Sequence, residues 1–123
     1  MRQVWHAITT AMASWHQGKL FIEHAVQISH DSLHLIVGVL VWLVLALVSR
    51  RPITSWIPWL WVLAFILWNE TVDLWTERWP DAGMQYGEGA KDVALTMLLP
   101  TVLMLAARAR PDLFRAGPTK RHR

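Results

Sequence analysis

The chain has no cysteine, a single tyrosine, and charged residues at only 17% of its 123 positions. Without thiols there is neither a disulfide framework nor cysteine chemistry, and nothing marks the redox compartment. The low charge, combined with 54% hydrophobic residues and a mean hydropathy of +0.26, argues against an ordinary soluble domain and for a membrane protein. No repeat or low-complexity run is present. Residues 1–17 hold no continuous apolar core and no small-residue cleavage site, so this segment reads as part of the working protein rather than a secretion signal.

What the chain does hold is tryptophan, nine residues in all, and apolar runs long enough to cross a bilayer. Val4, Trp5, Ile8, Met12 and Trp15 recur at spacings of three and four, with polar residues elsewhere. The pattern predicts an amphipathic helix over 1–18 lying in the membrane interface, with a break at Gly18. Three spans are expected within 19–109, at about 27–49, 53–75 and 91–108, since about 20 residues cross a hydrocarbon core. Pro52 suits the first turn of the second span. Trp56, Trp59 and Trp61 at one end of that span and Trp68, Trp75 and Trp79 at the other form interfacial belts. The stretch 76–89, with Pro80, Gly83, Gly87 and Gly89, reads as a polar loop in which Asp81 and Glu88 are solvated. Pro100 predicts a kink in the third span, and 110–123 reads as a basic tail. The fold class is thus all-α, with three transmembrane helices preceded by an amphipathic interfacial helix.

Charge sets the expected orientation. The loop holding Arg50 and Arg51 and the tail holding Arg108, Arg110, Arg115, Lys120, Arg121 and Arg123 carry eight of the twelve Lys and Arg. Cytoplasmic loops carry such an excess, so the carboxyl terminus is expected in the cytoplasm of a bacterial-type inner membrane and the amino terminus outside. The basic tail has an anionic leaflet as its simplest partner, so membrane lipids rather than nucleic acid are expected.

Alternating spans bring three polar sets to one leaflet. His30, Asp31 and His34 open the first span, Asn69, Glu70 and Asp73 close the second, and Lys91 and Asp92 open the third. Ionisable groups at membrane depth are costly and point to a role or a partner. Helical spacing aligns Asp31, His34 and Gly38 on one face, Glu70, Asp73 and Glu77 on a second, and Asp92, Thr96 and Pro100 on a third. Asp31, His34, Glu70, Asp73 and Asp92 are therefore candidate ligands for a divalent cation such as zinc, manganese or magnesium. His30, Asn69, Lys91 and Thr96 are candidates for supporting hydrogen bonds or for holding a lipid headgroup. The plainer reading is that these side chains glue helices together. His6, His16, His24 and His122 read as interfacial or tail residues, and Gly38 and Trp42 as packing residues rather than the lining of a pigment or lipid pocket.

Two family resemblances rest on the same residues. The layout is similar to small bacterial diacylglycerol kinases, with Asn69, Asp73, Glu77 and Ala90-Lys91-Asp92 at that family's Asn, acidic and Ala-Lys-Asp positions and Asp31 where it has a glutamate. Ile66 and Ala25 stand where that family has two further acids. That resemblance implies a lipid kinase. His30-Asp31-Ser32-Leu33-His34, Asn69-Glu70-Thr71-Val72-Asp73-Leu74 and Lys91-Asp92 with Thr96 and Pro100 resemble VanZ-like small membrane proteins, which implies a membrane-embedded site. The residues themselves favour a metal- or headgroup-binding inner-membrane protein. A non-enzymatic subunit of a larger complex is the alternative, and self-association or a partner is expected under either.

Overall fold

The computed structural model describes residues 1–26 and 28–114, so the expected tail beyond residue 114 lies outside the described residues. Four helices follow one another, α1 (Arg2–Val26), α2 (His30–Val48), α3 (Trp56–Thr76) and α4 (Ala82–Ala109), and a short 3-10 turn covers Pro111–Phe114. There is no strand among the described residues. Of the four, α2 with 19 residues, α3 with 21 and α4 with 28 are long and apolar enough to cross a membrane. At 1.5 Å per residue even α2 reaches about 28 Å, close to the hydrocarbon thickness.

The helix ends are set by local chemistry. Ser29 caps α2, its hydroxyl accepting from Ser32 N at 3.3 Å. The helix closes with Arg50 in the left-handed region (φ 52°), where Arg50 N and Arg51 N donate to Leu47 O and Ala46 O. Ser55 caps α3 by accepting from Ile57 N. The proline in the first turn of α3 is therefore Pro58, not Pro52, whose carbonyl accepts from Ser55 N in the preceding turn.

Two expected boundaries are corrected. The break at Gly18 does not occur, because α1 runs through it to Val26. Nor is 76–89 all loop. Asp81 accepts from Gly83 N at 2.7 Å and from Met84 N at 3.2 Å, and this cap starts α4 at Ala82, nine residues before the expected Lys91. A good cap and long-range packing outweigh the helix penalty of Gly83, Gly87 and Gly89. At Gly18 an added Cβ meets nothing within 4 Å. Gly18→Ala is accordingly expected to stabilise α1 by about 1 kcal/mol, read as slower amide hydrogen exchange around residue 18 in detergent.

The core lies where α2, α3 and α4 meet, with α2 packed mainly on α4 and α1 leaning on α3. Trp42, Val62, Ile66, Met97 and Met104 form its buried centre. Gly38 and Trp42 are both buried in this packing, and the Trp42 indole N–H has no hydrogen-bond partner among the described residues. At the far end Arg108 donates to Thr54 O at 2.8 Å and lies over the Trp56 ring at 4.5 Å. Past α4, the Arg110 guanidinium bonds both Asp112 oxygens and holds that carboxyl below its ordinary range. The stabilisation is present above the ordinary aspartate pKa and fades as pH falls through the lowered one. Full solvation makes it slight.

Candidate functional site

The polar residues converge at one end of the bundle, where α2 and α4 begin and α3 ends, and they form three groups. In the first, His30 and His34 lie one turn apart on α2 and face Asp92 and Thr96, one turn apart on α4. His30 Nε2 is 3.0 Å from Asp92 Oδ2, His34 Nε2 is 3.5 Å from the same oxygen, and the two Nε2 atoms are 3.2 Å apart. His34 Nδ1 sits 2.8 Å from Thr96 Oγ1, which fixes the ring so that Nε2 points inward. Asp92 is 4% exposed, and its Oδ1 has no hydrogen-bond partner among the described residues.

The second group ties α1 to α3. Trp15 Nε1 donates to Asn69 Oδ1 at 3.1 Å, while Asn69 Nδ2 donates to Glu70 Oε1 at 3.1 Å and to Asp73 Oδ2 at 3.2 Å. Lys19 Nζ donates to both Asp73 oxygens, at 2.6 and 2.5 Å. His16 bridges Asp73 Oδ1 at 3.1 Å and Glu77 Oε1 at 3.5 Å. The third group is at the rim, where Lys91 pairs with Glu88 and, at 3.0 Å, with Asp31.

The five expected ligands are thus divided. His34 and Asp92 come together, joined by His30 rather than by Asp31. Asp73 lies with His16 and Glu77, Asp31 with Glu88 and Asp92, and Glu70 belongs to none of these possible ligand sets. Of the four supporting residues, Thr96 orients His34, Asn69 links Glu70 to Asp73, Lys91 holds the rim, and His30 joins the inner set. His16 and Lys19 are functional candidates that sequence reasoning missed. The available signal was the placement of Trp15 and Lys19 one turn apart with His16 adjacent, but no local pattern shows that this face meets α3.

A cavity of about 280 Å³ opens beside these groups, lined in part by Glu70, Asp92 and His30. Gly89 matters here, since a Cβ at that position would come within 3.1 Å of Glu70 Oε2.

Chemically the three ligand sets are not equivalent. A tetrahedral zinc with donors at about 2.0–2.2 Å has donor–donor edges of about 3.3–3.6 Å. The distances of 3.0, 3.2 and 3.5 Å among His30, His34 and Asp92 approach one face of such a tetrahedron. In the His16, Asp73 and Glu77 set the Lys19 ammonium already occupies both Asp73 oxygens, and in the rim set Lys91 holds Asp31 and Glu88.

Fold and site together define, among the described residues, an all-helical fold with three helices apolar enough to cross a membrane and a His/Asp cluster where they converge. In comparisons with protein-family models, with curated proteins and with solved structures, nothing matches this chain.

Proposed function

We propose that this chain is a small multi-pass membrane protein that binds a divalent metal ion, zinc by donor type, through His30 Nε2, His34 Nε2 and Asp92. The observation that carries the proposal is the near-tetrahedral spacing of these three atoms, with His34 held by Thr96. Three protein donors leave at least one position for water or an exogenous oxygen, the arrangement of a working rather than a purely structural site. The excess of Lys and Arg in the first short loop and the tail supports an inner membrane with the site on the extracytoplasmic side and the carboxyl terminus in the cytoplasm. In this reading α1 is an amphipathic helix at the interface, with its amino-terminal end near Trp75, on which Trp5 stacks at 6.3 Å between ring centres. Membrane lipids surround the spans, and a second copy or a larger complex covers part of them.

The test is the metal content of protein purified natively in mild detergent. About one zinc per chain is expected in the wild type and in Asp31→Ala, and less than a tenth of that in His34→Ala. Metal retained by an inserted, folded His34→Ala protein would sink the proposal, as would a metal-free wild type that takes up no added zinc.

A further inference from the structure

A second opening, about 250 Å³, lies between α1, α2 and α3, with apolar walls that include Trp15, Ile22, Leu33, Val37, Phe65 and Ile66. Its inner end is polar and reaches His30, His34 and Thr96, while His16 and Lys19 line it from the α1 side. It shares Leu20, His30, Asp73 and Glu77 with the acidic cavity, so the two openings meet beside His30 and the Asp73 and Glu77 carboxylates, with His34 lining the groove and Asp92 the acidic cavity.

Two properties identify an occupant. The α2 and α3 walls belong to helices apolar and long enough to cross a membrane, so the medium they favour is hydrocarbon, and an apolar wall gives water too few partners to hold it. At the inner end, a divalent ion on two neutral imidazoles and one carboxylate keeps a net positive charge and an open position, which suits an anionic oxygen. Lys19, against both Asp73 oxygens, offsets one of the two carboxylates, Asp73 and Glu77, that line the groove.

We infer that the groove holds an acyl chain of a phosphate-headed membrane lipid, with the phosphate at the His30, His34 and Asp92 cluster. The head assignment rests on the metal reading above, whereas the chain assignment rests on the groove alone. The acidic cavity then forms the polar side of the site and the apolar groove its lipid side, with the donor cluster between them.

Native mass spectrometry of the detergent-solubilised protein with added phosphatidylglycerol tests this, with metal measured on the same samples. The wild type is expected to retain one phosphatidylglycerol per chain. Val37→Trp, which fills the groove from α2, and Ile22→Trp, which fills it from α1, are expected to retain at least tenfold less while keeping the metal. Leu47→Trp, at a 79% exposed position near the other end of α2, should retain lipid like the wild type. Diacylglycerol, with the chains but no phosphate, should be held at least tenfold more weakly than phosphatidylglycerol. Equal lipid retention by the wild type and a folded groove-filling variant overturns the groove, whatever the metal content. Equal retention of diacylglycerol overturns the head assignment. Loss of lipid from both groove variants with retention by Leu47→Trp upholds the groove even where no metal is found, an outcome that rejects the metal reading and the head assignment that rests on it, but not the chain assignment.

Discussion

Gly38→Ala is expected to be among the most damaging single-methyl changes in this chain, because α2 and α4 touch there backbone to backbone. A Cβ at residue 38 would lie 2.0 Å from Thr96 O, 2.8 Å from Thr96 C and 3.1 Å from Thr96 Cα. These are backbone atoms of a helix, so no side chain can rotate aside, and α2 and α4 must move apart by more than 1 Å. Close approach through small residues drives helix association in a membrane, where the hydrophobic effect between helices is absent. The overpacking costs about 1–3 kcal/mol, placed here at the upper end by the rigidity of the obstacle. The consequences extend one turn each way. His34 moves off Thr96 and Asp92, and Trp42, 1% exposed, loses part of its packing. A lowered thermal midpoint in detergent together with lost metal is the expected result. Gly18→Ala, where the added methyl meets nothing, is the internal control. A Gly38→Ala protein as stable as the wild type would mean that the helices do not cross at Gly38 and Thr96.

Asp92→Asn is expected to abolish the metal-dependent part of the protein's stability. Asp92 is the one anionic donor in the cluster, and asparagine keeps its shape while removing the charge. For the wild type, zinc at about 100 times its dissociation constant adds about 2.7 kcal/mol, because the ion binds the folded form. Asp92→Asn should show no such increment, and a chelator should bring the wild type down toward the variant. The helix-glue reading gives a different pattern: there Asp92 acts through its contacts to His30 and His34, so Asp92→Asn lowers the midpoint by the same amount with zinc as with chelator. Thermal melts with zinc and with chelator separate the two, since a zinc-dependent rise in midpoint retained by Asp92→Asn would remove Asp92 from the donor set.

Much of the architecture was legible because hydropathy and helical spacing are local. The runs around Leu35 to Val48, Ile53 to Trp75 and Val93 to Ala107 mark three helices, and the polar residues at their ends mark the end where chemistry gathers. The start of α4 was harder to read. Three glycines between Gly83 and Gly89 look like a loop until Asp81 is seen to cap the helix. Choosing between His30 and Asp31 was harder still. One step along a helix turns a side chain by about 100°. Both Asp31, His34, Gly38 and His30, His34, Gly38 make acceptable faces, and the Gly38–Thr96 contact turns His30 toward Asp92 and leaves Asp31 for Lys91.

The attachment of α1 was not legible at all. Lys19 and Asp73 are 54 residues apart, and nothing in the residue spacing of α1 names the face of α3 that receives it. By itself the sequence determined the class, the number of apolar helices and the end where the ionisable groups collect, since each depends on residues close along the chain. Only the tertiary structure decided which His meets which Asp, that Asn69, Asp73 and Lys19 form a brace, and that an apolar groove reaches the same cluster. These depend on how helices rotate and cross, which is set by contacts such as Gly38 against Thr96 between residues far apart in the chain.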